Sequence, residues 1–154
     1  CKTAKLFEAS ARCGAGMQGA PSGQEKALAV YGMYLVSAFQ LLDDVLDYSS
    51  SSEDIGKNIG DDLAEGKPTL PLIYAMRNGT AEQAALVRNA IETGGLEQID
   101  AVMEAVESTG ALQYTADSAP QAADKAIAAL KIFPASEYRY ALQTLAEFSV
   151  NRSY

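Results

Sequence analysis

The feature that most constrains this chain is the stretch from Ala27 to Tyr48, ALAVYGMYLVSAFQLLDDVLDY. Leu28, Tyr31, Leu35, Phe39, Leu42 and Leu46 recur at spacings of three and four, the repeat of one helix face. A long helix is predicted from Ser22, with Glu25 at the capping-box spacing, to about Tyr48. Its apolar part, Ala27 to Phe39, contains Gly32 and Ser37 and stays short of the roughly 20 residues that a membrane span needs. A buried core helix is expected. That helix nevertheless ends in three aspartates, Asp43, Asp44 and Asp47.

At about 100° per residue, Gln40, Asp43, Asp44 and Asp47 fall on one stripe, within about 60° of its centre. Three carboxylates on one face repel one another, and at a helix C-terminus they also oppose the helix dipole. Two readings are open. The stripe is a solvated helix end, or a hard cation offsets the repulsion. Oxygen ligands suit Mg²⁺, which is typically held by one or two carboxylates together with substrate phosphates. The chain has no histidine, so the commonest general base and the usual zinc ligand are absent.

A polar loop is predicted over residues 49–69, SSSSEDIGKNIGDDLAEGKPT. It carries two Gly-Lys pairs, Gly56-Lys57 and Gly66-Lys67. Glycine lets backbone approach a ligand closely, and lysine offers a point charge to phosphate. One such pair is a weak signal. An aspartate stripe followed within about 20 residues by two of them is far more specific. Lys2 and Thr3 form a further basic and hydroxyl pair.

The remaining chain reads as helix over 2–13, 70–78, 80–92, 96–109, 111–133 and about 135–150, punctuated by Gly79, Gly94, Gly95 and Gly110. No strand pattern, internal repeat or domain linker is visible. An all-α fold in a single domain spanning 1–154 is expected. With 48% apolar residues among 154, the chain can build a core. Its net charge of −8 argues against a nucleic-acid surface, which requires a basic patch. Cys1 and Cys13 on one helix would stand about 18 Å apart, beyond the roughly 7 Å that a disulfide spans. Two free thiols fit a reducing cytoplasm.

FQLLDDVLDY followed by GKNIGDDLAEGKPTLPL resembles the second aspartate-rich motif of the trans-isoprenyl diphosphate synthases, and within them the long-chain polyprenyl branch. The likeness runs from KTAKLFEAS to ADKAIAALKIFP, almost the whole chain. It implies a helical bundle around a deep cavity, a homodimer, and Mg²⁺-dependent condensation of an allylic diphosphate with isopentenyl diphosphate. The implied product is a long chain, octaprenyl in length, for quinone side chains. Carried over by residue, Asp43 and Asp47 would ligate Mg²⁺, with Asp44 in the same metal motif. Lys2 and Lys57 would hold the diphosphate. Thr3 and Gln40 would assist, Thr3 as a proton-accepting neighbour of the condensing carbon. Lys67 would add diphosphate contact, although for Lys67, Asp61 and Asp62 a role in ordering the loop is equally open.

The family uses two aspartate-rich motifs, and this sequence contains the second only. The first, with the arginines that follow it, is absent, so the chain is expected to be the C-terminal half of a synthase and inactive alone. Its start at Cys1, in a helical pattern with no cap, fits that expectation. Where family members close the site with a basic tail, this chain offers only Arg152. Two rival classes stand beside the synthase. A catalytically silent partner subunit of a heteromeric synthase would have no need of the DDVLD stripe. A terpene cyclase of the same fold would carry an Asn/Ser-containing second metal motif.

Overall fold

The computed structural model describes residues 2–49 and 60–151. Among them the elements are all helical, as the periodicity predicts. In chain order they are α1 (Lys2–Met17), α2 (Ser22–Ser49), α3 (Asp61–Ala64), α4 (Leu70–Asn78), α5 (Ala81–Thr93), α6 (Ile99–Ser108), α7 (Ala111–Ala129) and α8 (Glu137–Phe148). Short 3₁₀ turns lead into α6 at Leu96–Gln98 and follow α7 at Leu130–Ile132.

The contacts group the chain into two compact units. One comprises Cys1–Gln40 and Ser118–Tyr154, the other Leu41–Asp117. In the first, Tyr31, Ala126, Leu130 and Ala146 form a buried cluster, flanked by Leu28, Leu35 and Leu142. The Tyr31 hydroxyl donates to the Leu142 carbonyl at 2.9 Å. In the second, Tyr48, Leu63, Leu72, Val87, Val102 and Val106 are buried together.

By length and composition α2 could cross a membrane, with a best window of mean hydropathy 1.2. Its buried residues are Ala29, Tyr31, Val36 and Ala38 in the first unit and Tyr48 in the second. Gly32 is required where α1 meets α2. A Cβ there would lie 2.6 Å from the Phe7 carbonyl oxygen and 3.0 Å from the Ala11 Cβ, closer than packed atoms approach.

Three local expectations are corrected. The first helix does not stop at Cys13. It continues through Gly14 and Gly16 because Ala15 is buried, and packing outweighs the low helix propensity of glycine. It ends at Met17, and Gly19 in the turn beyond it has a φ of 64° that allows Ala20 N–H to reach back to the Ala15 carbonyl. Secondly, Ser22 and Glu25 form no capping box. Ser22 is already helical, Gln24 and Glu25 N–H donate to the Pro21 carbonyl, and the Glu25 carboxylate pairs with Arg12 at 2.6 Å. That contact raises the pKa of the Arg12 guanidinium. Thirdly, the predicted loop contains α3, because Leu63 is apolar enough to be fully buried.

Candidate active site

Lys2 opens α1, one residue before Thr3. Thr3 and Gln40 line one groove of about 350 Å³ within the first unit. Its other walls are mostly hydrocarbon: Phe7 from α1, Leu35 and Phe39 from α2, Leu145 and Phe148 from α8. Two residues that the sequence singles out separately thus share a lining. The α8 contribution was missed. Phe148 is 61% exposed and Leu145 48%, and exposed apolar side chains on a short terminal helix are the signal that marks such a surface.

The aspartate stripe lies in the second unit. Asp43, Asp44 and Asp47 are all half-buried on the last turns of α2. Asp44 Oδ2 accepts a hydrogen bond from Leu70 N–H at 3.4 Å, at the start of α4. Asp47 Oδ2 accepts from Asp62 N–H at 3.4 Å, at the start of α3. Gly60 N–H donates to the Asp47 main-chain carbonyl at 3.3 Å. The stripe therefore meets the N-termini of two following helices, where the dipole favours negative charge.

Burial pushes the Asp44 carboxyl up to about 6, and the charges of Asp62, Asp43 and Asp47 push the same way, against the Leu70 hydrogen bond. Tyr48, next to the stripe, is 2% exposed. Burial raises its pKa. The Thr69 hydroxyl opposes that rise.

Lys67 forms ion pairs with Asp62 at 2.8 Å and Glu65 at 2.6 Å, and both contacts raise its pKa. Gly66 adopts φ 65°, and a Cβ there would lie 2.9 Å from the Ile91 carbonyl oxygen. The glycine of this Gly-Lys pair thus serves the approach of the α3 turn to α5. Lys57 and its neighbours Gly56 and Asn58, like Cys1 and Arg152, lie outside the described residues. Cys13 is an exposed free thiol.

The donor set at the stripe is one of hard carboxylate oxygens, and that chemistry fits a cation such as Mg²⁺. Among the described residues no group of three or more His, Cys, Asp or Glu side chains converges in a way that could hold a metal ion.

The polyprenyl synthetase family matches residues 1–109, and the chain belongs to that family. It is 54% identical to octaprenyl diphosphate synthase of Haemophilus influenzae, covering 99% of this chain and 47% of that protein. It is 51% identical to octaprenyl diphosphate synthase of Escherichia coli, covering 98% and 47%. A polyprenyl synthase from Caulobacter crescentus, crystallised with calcium and isoprenyl diphosphate, matches with a TM-score of 0.80 and 43% identity, over 98% of this chain and 47% of that one. The chain thus spans about half the length of the relatives it matches.

Proposed function

We propose that this chain supplies the second aspartate-rich half of a Mg²⁺-dependent prenyltransferase. The reaction joins isopentenyl diphosphate to an allylic diphosphate, farnesyl or geranyl, to build a long polyprenyl chain of octaprenyl length. Quinone side chains are the proposed use of the product, and the cytoplasm its place of synthesis. The observation that carries the reading is the shared groove: Thr3 and Gln40 stand among hydrocarbon walls in a family member that keeps its DDVLD motif. That intact motif also favours a catalytic chain over a silent partner subunit.

In this reading Asp43 and Asp47 hold the cation, and Lys2 and Lys57 hold the diphosphate, with Lys67 as a further contact. Mg²⁺ held there would neutralise charge on the departing diphosphate. The allylic C–O bond breaks and diphosphate leaves with the electron pair. The double bond of isopentenyl diphosphate then attacks the allylic carbon, and the resulting cation gives a proton to the released diphosphate, with Thr3 beside it. Gln40 orients the diphosphate end. Phe7, Phe39 and Phe148 give the groove a hydrocarbon wall for the prenyl chain. Completion of the site needs a segment bearing the first aspartate-rich motif, and the working unit is a homodimer.

The test is calorimetric titration of the chain with a non-hydrolysable farnesyl diphosphate analogue, with and without Mg²⁺. Binding that requires Mg²⁺ and is lost in Gln40→Ala supports the assignment. Mg²⁺-independent binding overturns it.

A further inference from the structure

The N-terminus of α4 lacks a cap of its own. Its N-cap residue, Thr69, has extended backbone at φ −73° and ψ 166°, the usual geometry for capping, yet its side chain forms no cap bond. The Thr69 hydroxyl is buried and makes no hydrogen bond to a described group. Pro71, at the second helical position, has no N–H to offer. Leu70 N–H is therefore an orphan donor of the first turn, and the group that meets it comes from α2: Asp44 Oδ2 at 3.4 Å. Asp44 sits 26 residues before the amide that it meets. Near the end of α2 its carboxylate opposes that helix's own dipole, whereas at the start of α4 the dipole favours it.

From this geometry we infer that Asp44 is a positioning residue. It ties the N-terminus of α4 to the aspartate motif and so fixes the turn of α2 that carries Asp43, and it is not itself a cation ligand. The inference deepens the proposed function, since it rests on Asp43 serving the cation. It divides the motif: one carboxylate for the ligand, and one for the scaffold that aims it.

The whole chain is tested as wild type, Asp43→Asn, Asp44→Asn and Asp44→Ala. Two quantities are read: amide hydrogen exchange at Leu70, and the Mg²⁺ concentration needed for binding of inorganic pyrophosphate. Asn retains an acceptor oxygen, so Asp44→Asn keeps Leu70 protected. Asp44→Ala speeds exchange there by about tenfold, the scale of one lost hydrogen bond. Asp43→Asn raises the Mg²⁺ requirement by about tenfold or more and leaves Leu70 protected, while Asp44→Asn moves that requirement much less. The inference is overturned if Asp44→Ala leaves Leu70 protection unchanged, or if Asp44→Asn raises the Mg²⁺ requirement as far as Asp43→Asn does. If Asp43→Asn does not change the Mg²⁺ requirement, the cation reading fails, and Leu70 exchange still decides whether Asp44 is the cap.

Discussion

The two units of this chain solve different problems with one helix. In the first, α2 presents Leu35, Val36 and Phe39 to an apolar groove, and polar groups there are few: Thr3, Gln40 and Ser149. In the second, the same helix ends in carboxylates that are engaged by the backbone amides of α3 and α4. The apolar region depends on shape. Gly32 marks this, because a single methyl group would collide with the backbone of α1. The acidic region depends on donors. Asp44 and Asp47 are held by amides, and Lys67 is held by Asp62 and Glu65. Hydrocarbon walls tolerate exchange of one apolar side chain for another of like volume. A desolvated carboxylate tolerates little, since it needs its partners in place.

That contrast is open to test. The largest expected effect is electrostatic. The Asp44 carboxyl stands at about 6 against 3.8 in an unperturbed chain, because of burial and the neighbouring charges of Asp62, Asp43 and Asp47. A carboxyl whose pKa is raised by folding favours the folded state most when protonated. Its contribution is complete below about pH 4 and is lost as pH rises through about 6. The difference corresponds to at most roughly 3 kcal/mol, less after screening by solvent. In the presence of a chelator, urea unfolding across pH 4 to 7 should show this slope, and Asp44→Asn should remove it. An unchanged slope in that variant would assign the effect to other groups.

A steric change in the other region should cost about 1–3 kcal/mol. Gly32→Ala places a Cβ 2.6 Å from the Phe7 carbonyl oxygen. Thermal unfolding should therefore shift down, and binding of an allylic diphosphate analogue should weaken with it, because α1 carries Thr3 into the groove. A variant with wild-type stability would show that α1 adjusts freely.

The smallest expected effect on stability is at Lys67. The side chain is exposed and its pairs lie at the surface, so Lys67→Ala should change stability by less than about 1 kcal/mol. If the residue also contacts diphosphate, pyrophosphate affinity falls in the same variant. Unchanged affinity would leave Lys67 as a loop-ordering residue alone.

Much of this arrangement was legible in the sequence. The helical period of α2, the aspartates at its end and the glycine punctuation between later helices are local signals. α4 falls on the predicted 70–78, and α7 runs through Pro120 as its periodicity indicates. What was not legible depends on distant partners. Asp47 meets an amide 15 residues on and Asp44 one 26 residues on, separations that no spacing rule encodes. Phe148 joins Thr3 and Gln40 only because α8 folds back onto the groove. Glu25 left its capping box for Arg12, since an ion pair to α1 was within reach. The second Gly-Lys pair has partners that its spacing does not announce: Gly66 closely approaches the Ile91 carbonyl, and Lys67 pairs with two carboxylates.

The most direct test of the central claim, that the end of α2 is one cation–diphosphate jaw of a prenyltransferase, is a condensation assay with labelled isopentenyl diphosphate, farnesyl diphosphate and Mg²⁺. It is run on the chain alone, on the chain mixed with a polypeptide bearing the first aspartate-rich motif, and on that mixture with Asp43→Ala. The account predicts product from the mixture only, and at least about a 100-fold loss in the variant. Product from the chain alone would contradict the two-jaw site. Undiminished product from the Asp43→Ala mixture would contradict the role of the stripe.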